Sequence, residues 1–423
     1  MERLFGLTEH GTTARREIAA GATTFLTMAY ILIVNPQILA AAGIDPGAAF
    51  VATCLAAAIG SALIGLLANY PIALAPGMGL NAYFAFVVVG TLGIPWQVAL
   101  GAVFLSGLIF FAVSVLRIRE WLIGGIPLSL KLGIPAGIGM FLGLIGLKNL
   151  GLVVANPATL VGMGNVTSAP VLLGGAGFLL IAALAARRVP GAVIIGILAT
   201  MAAGIPFGLT QFRGVFDLPP SLAPTFLQMD IAGALSLGIV GVVFTFFLVD
   251  LLDNAGTLIG TTHRAGLMRP DGTVPRLGRA LMADSGGAMI GAVLGTSTTV
   301  SYIESAAGIQ QGGRTGLTAL TVAALFLLAL FAAPIAASVP AFATAPALVF
   351  VACLMAQALK DLDWGDETEY LPAMLTVLAM PFTFSIATGI GLGFLSYAGI
   401  KTLAGRAREV HGAVWVLAGL CAI

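Results

Sequence analysis

The chain reads as an all-α membrane protein of about 14 transmembrane segments in a seven-plus-seven inverted repeat, and three observations predict this. Of its 423 residues, 59% are hydrophobic and only 9% are charged, with a mean hydropathy of +1.05. A soluble domain carries about a quarter charged residues. Apolar stretches of roughly 20 residues, the length that crosses a bilayer as a helix, recur from end to end. Basic residues fall in alternate connections, as the retention of Lys and Arg on the cytoplasmic side requires.

Taken in order, the apolar runs predict spans near 17–43, 47–68, 74–91, 97–116, 127–150, 170–187 and 189–209. A second set follows near 230–259, 277–294, 295–313, 315–333, 343–360, 370–387 and 389–404. The tail VHGAVWVLAGLCAI is too short for an ordinary span. With the N-terminus inside, 17 of the 19 basic residues are cytoplasmic, from Arg3, Arg15 and Arg16 to Arg406 and Arg408. Only Arg213 lies outside, and Lys148 sits at a helix end. An error in span number would scramble that pattern. The expected location is the bacterial inner membrane.

The halves resemble each other. Phe25 and Asn35 in the first span correspond to Phe244 and Asn254 in the eighth. Ile64-Gly65 corresponds to Ile290-Gly291, and Asn81 to Glu304, at similar offsets. Seven spans is an odd number, so the second half is expected to be inverted, an arrangement common in secondary transporters.

Acids inside these spans point to a site. Asp250 and Asp253 lie in GVVFTFFLVDLLDNAGTLIG and Glu304 in GTSTTVSYIESAAG, with no Lys or Arg in either segment. An acid at the bilayer centre costs roughly 2.5–3.5 kcal/mol, so such residues line polar cavities and mark substrate or proton sites. Asp250, Asp253, Asn254, Thr257 and Thr261 share one helical face. Packing by polar groups alone needs amides and hydroxyls rather than two charges.

Spans 3 and 10 carry breaks. LAPGMGLNAYFAF has Pro76, Gly77 and Gly79 ahead of Asn81, and GTSTTVSYIES has a hydroxyl-rich, β-branched run ahead of Glu304. Each is expected to form a short extended piece leading into a half-helix. Matched broken spans point to a midplane site with backbone N–H groups aimed at the ligand. Tyr83, Phe84 and Phe86 are either stacking groups or lipid-facing. Other motifs carry less. Gly77–Ala82 fits a dinucleotide fingerprint but lacks the acid that should follow it. The acidic stretch Asp361, Asp363, Asp366, Glu367 and Glu369 reads as a solvated cytoplasmic loop. A net charge of +1 argues against a nucleic-acid partner, and neither cofactor nor metal is expected.

At these residues the chain resembles the nucleobase–ascorbate transporter group of nucleobase–cation symporters, and within it the AzgA-like branch of adenine, guanine and hypoxanthine permeases. The matching stretches are FGLTEHGTTARREIAAGATTFLTMAYILIVNPQIL, ALAPGMGLNAYFAF, DLLDNAGTLIG, GTSTTVSYIESAAGIQQGGRTGLTAL and MPFTFSIATGIGLGFLSYAGIK. The resemblance implies a core domain of spans 1–4 and 8–11 (residues 1–116 and 230–333). It also implies a gate domain of spans 5–7 and 12–14 (residues 117–210 and 334–423). Asn81, Asp250, Ser301 and Glu304 are then the expected substrate contacts. Asp250, Asp253 and Glu304 are the candidates for proton coupling.

The expected activity is proton-coupled uptake of a purine base by an elevator-like alternating-access mechanism. The protein would not be an enzyme, and its partners would be purine, proton, the lipid bilayer and a second copy meeting it through the gate domain. Two rivals remain at this stage. One is transport of xanthine, uracil or an anion on the same fold, although an anion favours a basic site residue. The other is an intramembrane aspartyl protease, for which no G-x-G-D motif is present.

Overall fold

A computed structural model describes residues 2–115, 125–268 and 274–421 of the chain. Among the described residues, each of the fourteen expected segments corresponds to an element. The first span is a broken helix, Ala14–Met28 and Ile31–Ala40, entered through Thr13, whose hydroxyl accepts from Arg16 N. The second, Pro46–Leu67, starts with Pro in its first turn behind Asp45, whose carboxylate caps Ala48 N. The third begins with strand β1 (Leu74–Pro76) and continues as a short helix, Met78–Ala82, then a π-helix, Tyr83–Thr91.

Trp96–Val115 and Leu128–Leu150 are spans 4 and 5. A hairpin of β2 (Val153–Asn156) and β3 (Leu160–Met163) follows, then Ala169–Ala186 and Ala192–Gly204. The second half repeats the order. It comprises Val240–Arg264, Leu277–Leu294, then β4 (Thr299–Ser301) with the short helix Ser305–Gln310. Gly316–Ala329 with Ala333–Ser338, Ala341–Ala356, Glu367–Thr383 and Ile386–Leu403 complete the set. The tail forms a ten-residue helix, Gly412–Cys421, about 15 Å long at 1.5 Å per residue. The fold class is therefore the one expected, with extended pieces confined to spans 3 and 10 among the transmembrane segments described.

Span 8 starts ten residues later than expected. Asp230 turns the chain first, capping Gly233 N at 2.8 Å while its own N–H donates to Gln97 O at 2.9 Å. The apolar run therefore continues through a separate turn, Ile231–Ala234, before the helix proper.

The chain divides into two compact units, residues 1–115 with 175–344 and residues 116–174 with 345–423. This division differs from the expected domain boundaries over 175–210 and 334–344. In the first unit the ends of the spans gather as the topology requires. At one end, Asn69 Nδ2 donates to Phe5 O, Tyr70 donates to Pro275 O, and Arg314 N donates to Glu17. At the other end, Asp217 N donates to Phe331 O and Leu227 N to Val293 O. Gly65 and Gly316 bring spans 2 and 11 into backbone contact, and a Cβ on Gly316 would overlap the Gly65 carbonyl.

In the second unit the acidic stretch is not simply a solvated loop. Asp361 and Asp363 are exposed, but Lys401, only 1% exposed, reaches Glu369 at 2.8 Å and Glu409 at 2.9 Å. Arg406 bridges Asp366 at 2.7 Å and Glu409 at 2.8 Å. Glu369 also accepts from Ser129 and Tyr397, tying spans 5, 13 and 14 together. A buried ammonium needs such anions, and this requirement makes part of an acidic loop structural. The Thr368 hydroxyl and the Arg406 guanidinium hold the Asp366 carboxyl well below its usual range, and Arg406 with Lys401 holds that of Glu409 at about 2.

Candidate functional site

The two broken spans meet. β1 and β4 pair antiparallel, with Leu74 opposite Ser301, Ala75 opposite Val300 and Pro76 opposite Thr299. Gly77 N donates to Thr298 O, Tyr302 N to Ala73 O, and the Tyr302 hydroxyl to Pro76 O at 2.6 Å. Backbone groups released by breaking two helices are thereby satisfied inside hydrocarbon, where each unpaired group costs several kcal/mol. Gly77 is needed for the approach, since a Cβ there would lie 2.9 Å from Val300 Cγ2.

Span 8 packs against β4 and against the helices Met78–Ala82 and Ser305–Gln310. It carries Asp250, fully buried, whose Oδ1 accepts from Asn254 Nδ2 at 2.7 Å one turn on. Asn254 uses its other end on the strand, where its Oδ1 accepts from Ser301 N at 3.0 Å. The Ser301 hydroxyl donates in turn to Asp284 Oδ1 at 3.1 Å. Two buried carboxylates on spans 8 and 9 are thus joined through one amide and one strand residue. This arrangement fixes the carboxylates relative to the strand pair, because every link is a directional bond in a low-dielectric interior.

Glu304 ends the turn between β4 and the following helix and is half-buried. Its Oε1 accepts from the Tyr30 hydroxyl at 2.6 Å, and its backbone oxygen lies 3.4 Å from Thr27 Oγ1. Asn81 stands elsewhere in the same framework. Its Nδ2 donates to Asn35 Oδ1 and its Oδ1 accepts from Ser297. Asn35 Nδ2 reaches Thr53 at 2.7 Å and Thr296 at 2.9 Å. Both amides are fully buried, so in this conformation Asn81 is engaged by protein partners that tie spans 1, 2, 3 and 10.

Of the residues singled out from the sequence, Asp250 and Ser301 are joined through Asn254, and Glu304 follows on the same strand–helix unit. The side chain of Asp253 lies outside the described residues. Tyr83 and Phe84 are buried rather than lipid-facing, and Tyr83 meets Phe246 edge-on at 5.1 Å; Phe86 is half-buried.

Sequence reasoning missed three residues. Asp284 sits in LGRALMADSGGAMIGAVL, and the acid-in-hydrocarbon rule applied to span 8 would have found it. Glu17, fully buried in span 1, accepts from Arg314 N at 2.9 Å, Thr315 N at 3.2 Å and Thr318 Oγ1 at 2.6 Å, capping span 11. Tyr30 carried no signal, since a tyrosine in an apolar helix is ordinary.

Broken spans that meet inside a helical membrane protein, with buried carboxylates beside them, are the arrangement of a membrane transporter. The comparisons agree. The model of a family described as Permease family (Xan_ur_permease) matches residues 15–392. The chain belongs to this family, in the AzgA-like branch of the nucleobase–ascorbate transporter superfamily. It is 50% identical to adenine permease AdeP of Escherichia coli (strain K12), over 99% of this chain and 94% of that one. It is 48% identical to guanine/hypoxanthine permease PbuG of Bacillus subtilis (strain 168), over 97% and 96%. The transmembrane domain of the cyanobacterial bicarbonate transporter BicA has the same fold. Its TM-score is 0.70 at 18% identity, covering 89% of this chain and 96% of that one.

Proposed function

We propose that this permease takes up purine nucleobases together with protons, moving a substrate-carrying core against a gate in an elevator-like cycle. The observation that carries the reading is the gathering of Asp250, Asp284 and Glu304 around the β1–β4 crossing. A purine is planar, with N–H donors and ring-nitrogen acceptors on its edges. Buried carboxylates accept those donors strongly, and an unpaired donor on either side is costly, so the arrangement selects by hydrogen-bond pattern. Relatives named as adenine and guanine/hypoxanthine permeases, at 48–50% identity over nearly the full chain, support the same substrate class.

Glu304, Asp250, Ser301 and Asn81 are assigned to substrate, Asn81 after release from its present partners. Asp253, Asp250 or Glu304 carries the proton. A proton moving down 100 mV supplies about 2.3 kcal/mol, enough for roughly fifty-fold accumulation. Radiolabelled adenine, guanine and hypoxanthine uptake is expected to collapse with a protonophore and to proceed without sodium. Undiminished uptake with the protonophore, or strict need for sodium, rejects the coupling. A second copy docked through the gate domain completes the proposed assembly.

The orientation proposed is N-terminus inside, in the bacterial inner membrane. A cysteine at exposed Asn165 is then expected to react with an impermeant thiol reagent from outside, and one at exposed Gly365 only after the cytoplasmic face is opened. Both are placed in a background lacking Cys54, Cys353 and Cys421. Reversed labelling overturns the orientation.

A further inference from the structure

We infer that Tyr30 is a specificity-setting residue, which engages one oxygen of the Glu304 carboxylate so that the site offers a purine one unshared acceptor and one already shared with a phenol. The inference rests on the reading of Glu304 as a substrate contact. Tyr30 is 2% exposed and stands at the break in span 1, between the helices ending at Met28 and starting at Ile31. Its hydroxyl donates to Oε1 at 2.6 Å, a well-formed O–H···O bond. Thr27, from the same break, lies within 3.4 Å of the Glu304 backbone oxygen, so two residues of span 1 hold this one position of span 10. The phenol is buried, while Glu304 is half-buried.

A carboxylate with both oxygens open pairs best with two adjacent donors. Guanine presents that edge, its ring N1–H beside an exocyclic amino group. Hypoxanthine presents N1–H beside a C–H. With Oε1 already engaged, the second guanine donor has to share that oxygen with the Tyr30 hydroxyl, and an oxygen already accepting a bond is a poorer acceptor than a free one. A site that pairs one donor and leaves another poorly paired discriminates strongly between such analogues. Tyr30 therefore biases the site toward a purine with a single donor at that edge.

The test is equilibrium binding of radiolabelled guanine and hypoxanthine to purified wild-type, Tyr30→Phe and Glu304→Gln proteins. Tyr30→Phe keeps the ring in its buried place, and its melting profile in detergent checks folding. The ratio of guanine to hypoxanthine affinity is expected to rise about three- to ten-fold in Tyr30→Phe, the worth of one typical net hydrogen bond. A purely structural role lowers both affinities together, and such a parallel fall, total loss of binding or an unchanged ratio overturns the inference. Wild-type binding by Glu304→Gln instead removes Glu304 from the site and takes down the underlying reading, an outcome distinct from the first.

Discussion

Glu304→Gln is expected to weaken purine binding about 5- to 150-fold while leaving the protein folded. The introduced amide has the shape of the carboxyl, so the turn after β4 keeps its packing. The Tyr30 hydroxyl, which donates at 2.6 Å to the position of Oε1, keeps that bond when the amide oxygen stands there. The amino group then occupies the second oxygen position, and a purine N–H arriving there meets another donor. A buried donor without a partner costs about 1–3 kcal/mol, which is the stated range in affinity. Asp253→Asn is expected to spare binding more than concentrative uptake, since on the proposed division it carries the proton. Equilibrium binding and proteoliposome uptake on both variants separate the two roles. Equal loss of binding in both refutes the division.

Gly316→Ala is expected to prevent folding or to lower the melting temperature sharply, whereas Gly399→Ala leaves it unchanged or raises it slightly. In an open helix position, replacing Gly by Ala stabilises by up to about 1 kcal/mol. Nothing lies within 4 Å of a Cβ at Gly399 in span 14, so that small gain is available. At Gly316 a Cβ would overlap the backbone of Gly65, which cannot rotate away as a side chain does. Spans 2 and 11 must then separate, exceeding the roughly 1–3 kcal/mol of ordinary overpacking. Melting in detergent decides it, and equal stability of the two variants refutes the close approach.

Residues whose environment follows from their own segment were readable from the chain. Asp250 is costly in hydrocarbon whatever surrounds it, so it stood out as a candidate in GVVFTFFLVDLLDNAG alone. The extended pieces were visible because Pro76, Gly77 and the run Thr298–Val300 resist helix locally. By contrast, Glu369 reads as one of several loop acids until Lys401, 32 positions on, is found buried against it. Asn81 looks like a free polar group beside a break until Asn35 and Ser297 are found on its amide.

The amino-acid sequence by itself determined the membrane class, the fourteen segments, the two matched breaks and the acids of spans 8 and 10. All of these rest on local length, hydropathy and backbone preference, which neighbours distant in the chain do not alter. Only the tertiary structure decided that β1 pairs with β4, that Asp284 reaches Asp250 through Ser301 and Asn254, and that Tyr30 covers Glu304. Those contacts join residues up to 274 positions apart. Hydrogen-bond partnership at that separation depends on where helices break and cross, and short-range periodicity carries no record of it.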